Sequence, residues 1–262
     1  MTVPLIDRPD SPLVADLHPS PNIEPRRPGF VPSMLLLHYT GLPTVERALD
    51  VLSRPDCKVS CHYVVDETGR IIQMVAEEAR AWHAGLSSWA GETDINSASI
   101  GIEIQNPGHT LGYPDFPATQ MQAVAALSRD ILGRHEIPPE RVLAHSDVAL
   151  GRKIDPGEKF DWAWLAAQGV GHWVAPAPLD EGDEGWPPGT ERPEILHARA
   201  ALAAYGYGVE TEGGLDAHLQ TAVRAFQLHF RQARCDGRLD SSTLDTLSRL
   251  TAARARDGVR IA

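Results

Sequence analysis

Residues 174–193, VAPAPLDEGDEGWPPGTERP, limit the architecture of this chain more than any other stretch. Five prolines remove backbone donors and fix φ, three glycines raise the entropy of ordering, and Asp180, Glu181, Asp183 and Glu184 repel one another. Neither a helix nor a central strand runs through such a segment, which reads as an extended, solvated linker. It divides 262 residues into a first domain at 1–175 and a second at 194–262, with the linker at 176–193. Charge divides them too: residues 194–262 hold nine Arg and eight acidic residues, a net of +1, which leaves -12 of the chain's -11 to residues 1–193.

In the first part, Met34-Leu-Leu-Leu37 ending in His38 is a short continuous apolar run, the pattern of a strand buried on both faces. Pro43 to Leu52 reads as a helix. Residues 60–65 and 71–75 read as a hairpin, with turn chemistry at Thr68-Gly69. Ser99 to Gln105 alternates, placing Ile100, Ile102 and Ile104 on one face and Glu103 on the other. Thr119 to His135 carries a helical stripe through Met121, Val124, Ala125, Ser128, Ile131 and Leu132, and Pro138-Pro139 ends it. This order gives an α+β class, a mixed β-sheet flanked by helices. In the second part Ile195–Ala204, Leu219–Phe230 and Ser242–Leu250 are apolar-periodic, which predicts a small all-α three-helix domain.

A net charge of -11 lacks the footprint of a nucleic-acid binder, and no apolar run approaches the roughly 18–20 residues of a membrane span. Met1 to Arg26 as written shows no basic region followed by an apolar one, so no export signal is expected. Cys57, Cys61 and Cys235 form no disulfide framework or zinc-ribbon spacing and favour a reducing compartment. Eleven histidines direct attention to metal and acid/base chemistry. His38 ends the apolar strand, and His145 and Asp155 lie in AHSDVALGRKIDPG at 144–157. Two imidazoles and one carboxylate make a three-ligand set with a fourth position open to water, the pattern of catalytic zinc. Asp147 competes with Asp155 for the ligand role, and either Asp could instead serve a turn or helix cap.

Four blocks, LLLHYTG at 35–41, VSCHYVVDETGRI at 59–71, ARAWHAGLSSWAGETDINSASIGIEIQNPG at 79–108 and VLAHSDVALGRKIDPG at 142–157, together resemble the zinc-dependent N-acetylmuramoyl-L-alanine amidases, which share a fold with the peptidoglycan recognition proteins. The resemblance implies one zinc ion (Zn2+) per chain on His38, His145 and Asp155, with Asp147 outside the set. It further implies Glu103 as acid/base and Lys153 as the stabiliser of the oxyanion. Arg80 matches a substrate-contacting arginine, and His83, Tyr63 and Asn96 sit in motif blocks as substrate-binding candidates that could equally brace the site. Trp82 and Trp89 are at least as plausible in the core as on a sugar face. Gly206-Tyr-Gly208, Ala222-Val-Arg-Ala-Phe-Gln227 and Asp236-Gly-Arg-Leu-Asp-Ser-Ser-Thr243 resemble the three-helix peptidoglycan-binding module.

The implied activity is cleavage between N-acetylmuramic acid and L-alanine of the stem peptide, with muropeptides or peptidoglycan as partner. Within it, the absent signal and unpaired thiols favour a cytoplasmic recycling enzyme acting on 1,6-anhydro-muropeptides. The module resemblance favours an exported wall-trimming enzyme of the periplasm or envelope. So does Thr93-Asp94, where the recycling branch tends to carry arginine. A non-catalytic recognition protein would have lost the zinc set, which here is complete.

Overall fold

The computed structural model describes residues 3–260; residues 1, 2, 261 and 262, which close the expected domain bounds, lie outside the described residues. In chain order the elements are β1 (Asp16–Leu17), β2 (Ile23–Pro25), β3 (Met34–Tyr39), α1 (Val45–Ser53), β4 (Tyr63–Val65), β5 (Ile71–Gln73), β6 (Ala79–Ala81), α2 (Ile95–Ala98), β7 (Ser99–Ile104), α3 (Ala118–His135), β8 (Val142–Ala144), α4 (His145–Val148), α5 (Trp162–Ala167), α6 (Pro193–Tyr205), α7 (Ala217–Phe230) and α8 (Ser241–Arg260). The apolar run at 34–37 is a central strand: β3 lies between β7 and β8, both parallel to it, in a sheet of order β1-β5-β4-β7-β3-β8. Cover on both faces explains why four successive apolar residues, Met34 to Leu37, are fully buried there. The anticipated hairpin is the antiparallel pair β4–β5, and Asp66 Oδ1 organises its turn by accepting from the backbone N–H of Thr68 and of Arg70, both at 2.9 Å.

The two-residue period sorts the sheet's side chains. Leu35, Leu37, Ile100, Ile102 and Ile104 pack against Val124, Leu127 and Ile131 of α3. The opposite face carries Met34, Leu36, His38 and Glu103, with His38 paired in register to Glu103. The alternation of Ser99 to Gln105 thus places one carboxylate on the side away from α3.

Composition anticipates a detached second domain on a solvated linker; the structure instead gives one shared core. Helices α6, α7 and α8 enclose Ile195, Leu202, Leu219, Phe226 and Leu250, and the same cluster includes Met34, Leu36, Trp89, Ile95 and Val148 from the sheet part. The rings of Tyr205 and Tyr207 meet Trp89 edge-on at centroid distances of 6.0 and 4.9 Å. Gly206 (φ +139) lies against that indole so closely that a Cβ would collide with it. The connecting segment is docked as well. Ala177 N–H donates to Thr246 Oγ1 (2.9 Å), and Asp183 Oδ2 accepts from the Ser241 N–H (2.8 Å) at the start of α8. One residue of the acidic run therefore serves a helix N-terminus, where a negative charge is favoured. The last helix reaches Arg260, beyond the Leu250 at which its apolar periodicity fades.

Glu77, buried after β5, joins distant parts of the first domain: its carboxylate accepts from Tyr63 Oη (2.6 Å), Arg134 Nη2 (2.7 Å) and His135 Nε2 (2.6 Å). Burial raises its pKa, but the hydrogen bonds from Arg134, His135 and Tyr63 outweigh that and bring it to about 2. A depressed carboxyl contributes stability that is complete above the unfolded value of about 4.3 and is lost as pH falls through the folded value. Glu77→Gln should therefore cost about 3 kcal/mol in urea unfolding near neutral pH, with the difference from the unaltered chain shrinking between about pH 4.5 and pH 2. A difference that stayed constant over that window would mean the carboxylate charge contributes nothing.

Candidate active site

Because β3, β7 and β8 run parallel, their C-terminal ends lie together, and the chemically active side chains gather there. His38 is the fifth residue of β3, Glu103 the fifth of β7, and β8 passes directly into α4, whose first residue is His145. Asp155 arrives on the loop that follows, fixed by the Ser146 N–H donating to its carbonyl (3.1 Å).

His38 Nδ1 and His145 Nδ1 are 2.9 Å apart, and Asp155 Oδ2 lies 3.2 Å from the first and 3.0 Å from the second. All three residues are buried. His145 Nε2 is 3.0 Å from the Ala84 carbonyl, which only accepts, so the proton sits on Nε2 and Nδ1 presents a lone pair. An imidazole lone pair, a second imidazole nitrogen and a carboxylate oxygen thus converge, an arrangement that calls for a cation. The spacing is close to the edge of a tetrahedron around zinc, about 3.3 Å for bonds of about 2.0–2.1 Å, so these residues fit the metal. Burial, with His145 beside it, pushes His38 down to about 4 and keeps it in the neutral form that ligates. Asp155, against the burial that would raise it, is held well below the carboxylate range by His145 and His38.

The support behind these groups is continuous. His38 Nε2 lies 3.0 Å from His83 Nδ1, and His83 Nε2 lies 3.3 Å from Ser99 Oγ, which donates to the Ile95 carbonyl. With His38 Nδ1 turned to the cluster, its Nε2–H donates to His83, the outer partner a metal-ligating histidine requires. His83 lies flat on Gly101, where a Cβ would come within 2.6 Å of Nδ1, so the glycine between Ile100 and Ile102 makes room for the ring. Burial holds His62 at about 3; its Nδ1 accepts from the Gly101 N–H (3.0 Å) and its ring meets that of His83 edge-on. Sequence reasoning missed His62 and Gly101; the glycine among three isoleucines was the available signal.

Glu103 is half-buried, and its Oε2 is a buried oxygen with no hydrogen-bond partner among the described residues. Burial and nearby Asp155 raise its pKa well above the usual value, while Lys153 acts in the opposite sense. Glu103 and Lys153 line a cleft of about 170 Å³ together with Tyr39, Trp82, His83 and the His145–Asp155 pair. Roomier hollows, of about 600 Å³ beside Trp186 and about 800 Å³ beside Phe30, lack such a cluster among the described residues.

Three of the substrate-binding candidates are engaged within the protein. The Arg80 guanidinium on β6 is engaged by Asp94 Oδ1 (3.0 Å), ahead of α2, and by Glu24 Oε2 (2.7 Å) of the paired strand β2. Tyr63 points to the α3 side and donates to Glu77. Asn96 Oδ1 accepts from the N–H groups of His83 (3.1 Å) and Ala84 (2.8 Å), bracing the loop that carries the His145 partner. His83 does border the cleft, from behind His38. Asp147 faces away from the ligand cluster, and Trp89 belongs to the shared core.

Residues 27–158 match the family described as N-acetylmuramoyl-L-alanine amidase, and residues 191–247 match the "Putative peptidoglycan binding domain" family. The N-acetylmuramoyl-L-alanine amidase AmiD of Escherichia coli (strain K12) is 36% identical over 222 residues, which span 80% of this chain and 79% of AmiD. The solved complex of AmiD with anhydro-N-acetylmuramic acid-L-Ala-D-gamma-Glu-L-Lys superposes with a TM-score of 0.72 at 33% identity, over 88% of this chain and 93% of that one. AMPDH3 from Pseudomonas aeruginosa, solved with an anhydromuramic pentapeptide, gives 0.72 at 34% identity over 85% and 92%. With a matched segment that contains the whole His–His–Asp cluster and Glu103, and a relative aligned across both parts, the chain belongs to the N-acetylmuramoyl-L-alanine amidase family.

Proposed function

We propose that this chain hydrolyses the amide between the lactyl group of N-acetylmuramic acid, in its 1,6-anhydro form, and L-alanine of the stem peptide, using one zinc ion held by His38, His145 and Asp155. The observation that carries this reading is the convergence of three ligand atoms beside an unpartnered Glu103 oxygen. The anhydromuramyl peptides in the two similar solved complexes support the substrate.

Zinc in this position supplies Lewis acidity toward an amide carbonyl and toward water. Glu103 takes the proton from the attacking water and delivers it to the alanine nitrogen as the C–N bond breaks; its raised pKa suits both halves of that transfer. Lys153, exposed at the cleft rim, brings positive charge toward the oxyanion of the tetrahedral intermediate. His83 keeps His38 oriented.

Residues 1–175 form the catalytic domain in this reading, 176–193 the connection and 194–262 the helical module. The enzyme acts in the cytoplasm on soluble muropeptides during recycling, a placement supported by the free thiols of Cys57, Cys61 and Cys235. No described helix is long and apolar enough to cross a membrane. The match of residues 191–247 to a peptidoglycan-binding family favours a second reading, wall trimming in the envelope. Recovery of the native protein in an envelope fraction would select it.

Metal analysis tests the ligand set. His145→Ala and Asp155→Ala should each lose zinc, whereas Asp147→Ala should retain a measurable stoichiometry. Undiminished zinc in His145→Ala would overturn the assignment, and loss in Asp147→Ala with retention in Asp155→Ala would exchange the two aspartates.

A further inference from the structure

Helix α4 carries His145 but is four residues long, too short to keep an orientation by its own hydrogen bonds. What fixes it comes from the other end of the chain. Asp147 is fully buried; its Oδ2 accepts the Ala144 N–H (2.8 Å) and His229 Nδ1 (2.7 Å), and its Oδ1 accepts Tyr207 Oη (2.7 Å). The first contact is local to the start of α4. The other two come from the helical module, His229 from α7 and Tyr207 from the turn after α6.

These donors are themselves immobilised. The His229 ring stacks on Trp162 and Phe230 at centroid distances of 3.7 and 3.9 Å, and the Tyr207 ring meets Trp89. At 3.6 residues per turn, positions 145 and 147 lie about 200° apart around the helix, so a clamp on Asp147 from one side aims His145 into the cleft on the other. The module reaches the second restraint on His145 as well. Ala84, whose carbonyl accepts from His145 Nε2, is on the loop that continues to Trp89; Ser88 N–H in that loop donates to the Val148 carbonyl (2.8 Å) of α4.

We infer that Tyr207 and His229 are positioning residues for the metal centre: by holding Asp147 they set the His145 imidazole, so the helical module is part of the catalytic framework. This rests on the reading of His145 as a zinc ligand and goes beyond it. Metal sites tolerate only about 0.2 Å of error in ligand distance, and loss of an outer partner weakens metal binding by about 10–100-fold.

The test is zinc affinity of the full chain, by chelator competition, with thermal melting measured in parallel. Tyr207→Phe removes one oxygen and keeps the ring packed on Trp89, so it preserves the fold; His229→Leu removes the second donor. Each should bind zinc about 10-fold more weakly, and His229→Asn, which returns an N–H near the Nδ1 position, should recover to within roughly threefold. Zinc affinity unchanged in Tyr207→Phe and His229→Leu, with only the melting temperature lowered, would overturn the inference and leave the contacts as interdomain packing. His145→Ala serves as the control. If it keeps zinc, the ligand reading itself fails; if it loses zinc while the other two do not, this inference alone fails.

Discussion

Replacing Glu103 with Gln should leave the fold and the zinc content unchanged and lower turnover of a muropeptide by about 10²–10⁴-fold, the contribution of a positioned acid/base. The amide is nearly isosteric, and the Glu103 side chain is not among the three convergent ligand atoms, so the metal stays. What disappears is a carboxylate oxygen that is buried, unpartnered among the described residues and raised in pKa by burial and by Asp155. Such an oxygen binds a proton more readily than an exposed carboxylate and exchanges it with little competition from neighbouring donors. An amide oxygen is a far weaker base. Turnover and zinc stoichiometry measured on the same preparation check this; near-normal turnover would assign the proton transfer to another group.

Ending the chain after residue 175 should lower the thermal midpoint by about 10–20 °C or yield insoluble protein. The helical module covers Trp89 with Tyr205, Gly206 and Tyr207, stacks His229 on Trp162, and shares a cluster with Met34, Leu36 and Val148. Re-exposing a large apolar side chain costs roughly 1.5–3 kcal/mol. Two or three of them amount to about 5 kcal/mol, comparable with the whole stability of many domains, and at this size each kcal/mol moves the midpoint by about 2–4 °C. Calorimetry on the full and shortened chains decides the matter. A shortened protein that is soluble and melts within a few degrees of the full chain would mean the shared core is dispensable.

Much of the catalytic half was legible because its signals are local. An unbroken apolar run at 34–37 marks a doubly covered strand, and the alternation of Ser99 to Gln105 places Glu103 on the face opposite three isoleucines. The proposed metal ligands, 117 positions apart at their extremes, were assigned through resemblance of whole blocks, since spacing alone left Asp147 and Asp155 level. Strands β8 and β1 were not legible. β8 has three residues and β1 two, too few to show a period, although β8 delivers His145. Arg80, Tyr63 and Asn96 lie in the motif blocks, but the blocks do not say which side chains they meet within the protein. Whether an arginine meets a substrate or Asp94 and Glu24 depends on which strands pair, a long-range property that a motif does not encode.

The linker shows the same limit. Its composition argues correctly against helix and strand, but not against docking. An acidic residue that looks solvated in sequence can find a helix N-terminus in three dimensions, as Asp183 does at Ser241. Asp147 shows it most sharply. The sequence offered two local roles, ligand or cap, and the structure adds a third through Tyr207 and His229, 60 and 82 positions away.

The zinc-loaded chain is expected to break one particular amide bond. The most direct measurement is mass spectrometry of the products formed from an anhydro-N-acetylmuramyl tripeptide in water enriched in oxygen-18. Two products are expected, anhydro-N-acetylmuramic acid carrying one heavy oxygen in its lactyl carboxylate and an unlabelled tripeptide with a free L-alanine amine. Intact substrate, or cleavage between L-alanine and the following glutamate, would contradict it.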